Sequence, residues 1–110
     1  MDCSVEFAIL QFALDDGELW PIAVLLLDAE DKLHLRARAD LSARLRPEDA
    51  RIVELFLADL IADARRSSGN VLIATLEDRL SNAIRITDRK PIPVTSIQET
   101  LQALASKYRF

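Results

Sequence analysis

The chain has 110 residues, of which half are hydrophobic, and it carries a formal net charge of −4 at pH 7. This length supports one domain with one packed core, and the apolar content excludes a disordered chain. The negative charge disfavours nonspecific binding to nucleic acid or anionic membranes. A single cysteine, Cys3, excludes an internal disulfide and is typical of a reducing compartment.

Neither a targeting segment nor a membrane span is recognisable in the sequence. The first residues lack the positive n-region of a signal peptide. The longest unbroken apolar run, residues 21–27, is far shorter than the roughly 20 residues that cross a bilayer. We therefore expect a complete cytoplasmic protein that does not enter a membrane.

The first third of the chain predicts an antiparallel three-stranded meander. Two apolar segments, residues 5–14 and 19–27, flank the dipeptide Asp16-Gly17, which is typical of two-residue hairpin turns with positive φ. Residues 32–39 alternate between apolar and basic side chains, the period of a strand with one buried face.

The remainder of the chain predicts three helices and a fourth strand. The first helix opens at Pro47, which suits the first helical position, and its apolar face comprises Ile52, Val53, Phe56, Leu57, Leu60, Ile61 and Ala64. A second helix covers about residues 71–83, although residues 71–75 also fit a strand. Residues 84–87 fit a further strand, and Thr95 or Ser96 can cap the last helix. The predicted fold is α+β, an antiparallel three- to four-stranded meander packed with three helices in the order β-β-β-α-α-β-α.

The two faces of the meander indicate where a partner can bind. Two-residue turns at residues 16–17 and 29–30 pair Ile9 with Val24, and Val24 with Leu35. One face is then apolar, while the other combines apolar side chains of the first two strands with a basic row on the third. Because a solvated face is normally polar, either the helices cover both faces or a second subunit covers this one. In the second case the predicted interface comprises Leu10, Phe12 and Leu25, together with Leu55 outside the apolar face of the first helix.

The basic row on the third strand consists of Lys32, His34, Arg36 and Arg38. Such a row can bind phosphate, an acidic protein surface or an RNA backbone. Alternatively, the strand lies at a sheet edge, where basic side chains prevent edge-to-edge aggregation. Single-strand nucleic-acid binding normally requires aromatic side chains on which bases stack. No aromatic residue interleaves with this row, so the pattern favours the edge strand.

No catalytic residue, metal site or cofactor is predicted. His34 is the only histidine and has no nucleophile near it in sequence. Asp16, an apolar strand and then Glu30-Asp31-Lys32 faintly resemble the D…ExK pattern of metal-dependent nucleases of the restriction-endonuclease type. In that family carboxylates hold Mg²⁺ and the lysine orients water, but here the glutamate and lysine fall in a predicted turn.

Three functions therefore remain, in order of preference. The first is a noncatalytic protein-interaction or regulatory module that associates with itself or with another protein. The second is an anion- or nucleic-acid-binding domain that uses the basic row. The third is a small metal-dependent nuclease. Residues 7–28 are also loosely similar to uncharacterised bacterial domains, a resemblance without a specific motif that implies no activity.

Overall fold

The computed structural model of the protein describes residues 5–79, 83–108 and 110, and it consists of one antiparallel sheet flanked by three helices. Cys3 lies outside the described residues. The strands are β1 (Val5–Ala13), β2 (Leu19–Leu27), β3 (Leu33–Ala37), β4 (Ile84–Ile86) and β5 (Lys90–Ile92). The helices are α1 (Pro47–Ala64), α2 (Gly69–Arg79) and α3 (Ile97–Lys107), with a short 3-10 helix, Leu41–Ala43, before α1.

The sheet confirms the predicted α+β class and the fourth strand. Its strands lie in the order β3-β2-β1-β4, and the additional β5 pairs with the other half of β1. Thr87 joins β4 and β5 along this edge: its N–H donates to the Ile9 carbonyl at 3.0 Å, and its Oγ1 accepts from the Ile9 N–H at 2.9 Å. β4 and β5 therefore form one interrupted edge strand.

Both hairpins close through three-residue turns, so the predicted two-residue turns are wrong. In the β1–β2 turn, the N–H of Gly17 (φ 87°) donates to the Leu14 carbonyl at 2.9 Å. In the β2–β3 turn, the N–H of Asp31 (φ 65°) donates to the Asp28 carbonyl at 3.2 Å. A third turn residue with positive φ is the usual solution for such hairpins, and aspartate tolerates this conformation better than most residues.

The extra turn residue has opposite consequences in the two hairpins. Between β1 and β2 a bulge at Ile22 compensates for it, so Ile9 faces Val24 as predicted. Between β2 and β3 no bulge follows, and Val24 faces Arg36 rather than Leu35. Because a shift of one residue exchanges the two faces of a strand, all of β3 is turned over relative to the prediction.

The three helices divide between the two faces of the sheet, which is one of the two arrangements that the sequence left open. Buried side chains of α1 and α2, among them Val53, Leu57 and Ile73, share one core cluster with the face of the sheet that carries Leu10 and Leu25. On the opposite face the α3 leucines pack against the buried side chains of the first two strands; this cluster contains Val5, Ile9, Val24, Leu26, Leu101 and Leu104. The sheet is therefore covered on both sides by the chain's own helices.

The start of α2 packs directly on the β2–β3 turn. The N–H of Gly69 donates to the Asp31 carbonyl at 2.8 Å, and a Cβ at this position would collide with Leu27 Cδ1. Only glycine permits so close an approach of helix to strand. Residues 71–75 are thus helical rather than extended. At α3 the cap is Ser96, whose Oγ accepts from the Glu99 N–H at 3.4 Å.

Candidate interaction surfaces

The three sheet residues of the predicted interface lie inside the protein's own core. Leu10 and Leu25 are 0% exposed and Phe12 is 8% exposed, because α1 and α2 cover this face of the sheet. A partner cannot contact Leu10 or Leu25 without displacing the helices. The sheet part of the predicted interface is therefore wrong.

The fourth predicted interface residue, Leu55, lies on the outer side of α1 and is 57% exposed. Ile52, three residues earlier, is also 57% exposed, although the apolar periodicity placed it on the core face. Val53 and Leu57 are buried and define the inward side of the helix, and Ile52 projects about 100° away from Val53. Residues three apart are neighbours on a helix, so Ile52 and Leu55 form one apolar patch.

Exposed charged residues surround this patch one helical turn away. Glu48 precedes Ile52 by four residues, while Arg51 and Asp59 lie four residues before and after Leu55. We call these five residues, Glu48, Arg51, Ile52, Leu55 and Asp59, the α1 outer face. It combines an apolar centre with a charged rim, which is the usual composition of a protein contact surface.

Arg38 is not available to bind an anion, which corrects one member of the basic row. It is buried, at 6% exposure, and its Nε donates to the Pro21 carbonyl at 2.8 Å. One terminal nitrogen donates to the Tyr108 carbonyl at 3.0 Å. Its guanidinium lies 4.5 Å and 4.7 Å from the ring centroids of Trp20 and Phe110. Arg38 therefore joins the sheet to the residues after α3, and sequence periodicity alone could not reveal this role.

His34 is also engaged within the chain. Its Nε2 lies 2.8 Å from Oδ2 of Asp28, whose Oδ1 accepts from the backbone N–H groups of Glu30 and Lys32 at 2.8 and 3.0 Å. Partial burial raises the pKa of Asp28, but these hydrogen bonds outweigh it and hold the pKa below its usual value. His34 therefore supports the β2–β3 turn, and its half-buried ring is engaged with Asp28.

Lys32 and Arg36 are what remains of the basic row. Both are exposed, and neither makes a side-chain hydrogen bond or ion pair with any residue that the structure describes. β3 is the terminal strand in the order β3-β2-β1-β4, so the predicted edge strand is confirmed. The row is therefore reduced to two exposed cations, Arg36 on the edge strand and Lys32 immediately before it.

Asp31 has a structural role that the sequence interpretation missed. Its carboxylate accepts hydrogen bonds from the Ser68 hydroxyl and, at 2.9 Å, from the Asn70 N–H at the start of α2. These bonds, the one from Ser68 foremost, hold the pKa of Asp31 below its usual value. Arg89 extends the cluster by donating to the Asn70 amide oxygen at 2.8 Å and to Glu77 at 3.0 Å. Ser68 preceding a helix was the one sequence signal that pointed to a capped start here.

The carboxylates of the nuclease-like pattern do not meet. Asp16 lies in the β1–β2 turn and Glu30 in the β2–β3 turn, at opposite ends of the nine-residue strand β2. At about 3.3 Å per residue these ends are about 30 Å apart, so the two side chains cannot bind one metal ion. Over the described ranges, no group of three or more histidine, cysteine or acidic residues is placed to hold a metal.

A cleft of about 340 Å³ lies between the β1–β2 turn and the start of α1, with Phe12, Leu14 and Leu45 among the residues that line it. The arginines of the cleft are occupied: Arg46 contacts Asp15 and Arg44 contacts Glu18, each at 2.6 Å. These pairs fasten the turn to the residues before α1. Both arginines that line the cleft are thus engaged with carboxylates of the chain.

Comparisons with known proteins give no indication of a function, so a proposal must be based on the surfaces described above. No protein-family model matches the chain, and neither a curated protein nor a solved structure matches it. Within the described part of the chain, no helix is long and apolar enough to cross a lipid bilayer.

Proposed function

We propose that this chain is a noncatalytic protein-interaction module that associates with a second copy of itself through the α1 outer face. The observation that carries the proposal is the adjacent exposure of Ile52 and Leu55, each 57% exposed, at the centre of a charged rim. A two-fold dimer uses the same patch of both copies, so four aliphatic side chains become buried together.

The size of the patch sets the expected affinity. Complete burial of a leucine or isoleucine is worth about 1.5–3 kcal/mol, and a little over half of each side chain remains to be buried. Four such side chains therefore contribute about 3–7 kcal/mol, while association costs about 4–15 kcal/mol. With added contacts from the stems of the rim residues, the outcome is a weak dimer whose population depends on concentration.

Sedimentation equilibrium over a wide concentration range, from about 10 μM to about 1 mM, tests the proposal. We expect the average mass to rise toward that of a dimer, and Leu55→Asp and Ile52→Asp to remain monomeric because a charged carboxylate at the apolar centre of the contact would lose its hydration on burial. Val71→Asp is the matched control, since Val71 is 59% exposed but lies on α2. This control should dimerise like the parent chain. A parent chain that stays monomeric throughout this range would overturn the proposal.

A further inference from the structure

On the outer edge of β3, backbone groups have no hydrogen-bond partner among the residues that the structure describes. Hydrogen bonds at both ends of the β2–β3 ladder, from the Asp28 N–H to the Lys32 carbonyl at 3.0 Å and from the Arg38 N–H to the Ile22 carbonyl at 2.8 Å, join even-numbered residues of this strand to β2. In an antiparallel ladder the backbone groups of successive residues point alternately toward and away from the partner. The N–H and C=O groups of Leu33, Leu35 and Ala37 therefore point away from the sheet.

Part of this edge is open to a partner. At the Leu33 end the start of α2 packs closely against the strand. A Cβ on Gly69 would lie only 3.0 Å from the Leu33 nitrogen. Leu35 and Ala37 remain partly exposed, whereas residues 22–27 of the neighbouring strand are at most 4% exposed. The accessible segment is thus 35–37, which is long enough for a short additional strand.

The charges beside this segment specify the partner. Arg36 is exposed, and because it pairs with Val24 its side chain lies on the α3 side of the sheet. Lys32, also exposed, immediately precedes the strand. A second copy of β3 pairing about Leu35 would make the two Arg36 side chains diagonal neighbours about 7–8 Å apart, which is unfavourable for like charges. The edge is consequently suited to a strand of opposite charge.

From the open ladder and the two unpaired cations, we infer that β3 accepts an extended acidic segment of another protein as an additional strand. In antiparallel pairing, small apolar residues of that segment exchange hydrogen bonds with Leu35 and Ala37. An acidic residue between them lies directly opposite Arg36, in the pair whose side chains are closest. This surface is separate from the α1 outer face, so either proposal can fail without the other.

A fluorescent peptide of alternating glutamate and valine, followed by anisotropy, is the direct probe of this edge. We expect salt-sensitive binding by the parent chain and none by a peptide in which lysine replaces glutamate. Arg36→Glu should weaken binding about tenfold, because it replaces a favourable cross-strand charge pair by a repulsive one. Arg85→Glu, an exposed arginine on β4 at the opposite edge, is the matched control and should bind like the parent chain.

Backbone methylation of the peptide separates strand pairing from simple charge attraction. N-methyl groups on the valine amides should abolish binding, whereas N-methyl groups on the glutamate amides should be tolerated, because only the valine amides face β3 in antiparallel pairing. Equal binding by both methylated peptides would overturn the inference. So would an absence of binding at about 1 mM peptide, or tighter binding of a single-stranded oligonucleotide than of the acidic peptide.

Discussion

Leu25 and Leu55 are the same residue type, and both belong to the interface that the sequence predicts, yet they occupy opposite environments. Leu25 lies at the centre of the sheet under α1 and α2, whereas Leu55 projects from the outer side of α1. The difference shows that an apolar residue indicates a partner only where no element of its own chain remains to cover it. The helices bury both faces of the sheet, but nothing in the described chain buries the outer side of α1 at Leu55.

The largest expected effect is on stability, when each of these two leucines is truncated to alanine. Leu25→Ala removes a fully buried side chain, and we expect a loss of about 2–5 kcal/mol in the free energy of unfolding from lost transfer energy and the cavity left behind. Leu55→Ala should change it by less than about 0.5 kcal/mol. Urea titrations at a concentration where the protein is monomeric measure both. Equal losses at the two positions would contradict the placement of Leu55.

A second contrast, between Arg38 and Arg36, extends the comparison to charged residues of one region. Arg38→Met would leave the carbonyls of Pro21 and Tyr108 without their charged donor, and we expect a loss of about 2–3 kcal/mol in the free energy of unfolding. Arg36→Met removes an exposed side chain and should leave stability unchanged within about 0.5 kcal/mol. Thermal unfolding of both variants measures these two changes in stability. A stable Arg38→Met variant would show that this guanidinium is not a structural link.

The smallest expected effect concerns the acid stability of the β2–β3 turn. Because hydrogen bonds lower the pKa of Asp31 in the folded state, its contribution to stability is complete above the unfolded pKa, about 3.9. That contribution is lost as the pH falls through the folded value. Stability should therefore decline below about pH 4, and both Asp31→Asn and Ser68→Ala should make this decline shallower. Unfolding free energies measured from pH 6 to pH 2 test this, and an unchanged slope in Asp31→Asn would contradict it.

Local sequence signals predicted the elements but not every contact between them. The predicted pairing of Ile9 with Val24 is correct because the bulge at Ile22 cancels the extra turn residue. The predicted orientation of the β3 side chains is wrong. Only the positive φ of Asp31 distinguishes the three-residue turn from a two-residue one, and the sequence does not reveal it. The carboxylate of Asp31 contacts Ser68 and Asn70, which are far away in sequence.

The surfaces show the same limit. Periodicity located the buried centre of α1 correctly at Val53, Leu57 and Leu60, but it also assigned Ile52 to the core. How much of an apolar arc is buried depends on what packs beside the helix, and this is a property of the whole fold. The alternation in β3 identified the strand, while the burial of Arg38 depends on Trp20 and Phe110, which come from distant parts of the chain.

The self-association of α1 is most directly tested by methyl NMR spectra recorded as a function of protein concentration. We predict that the methyl signals of Ile52 and Leu55 shift progressively as concentration rises, while those of the buried Leu25 and Ile73 stay constant. Invariant signals from Ile52 and Leu55 at concentrations up to about 1 mM would contradict the proposal that the α1 outer face is the contact between two copies.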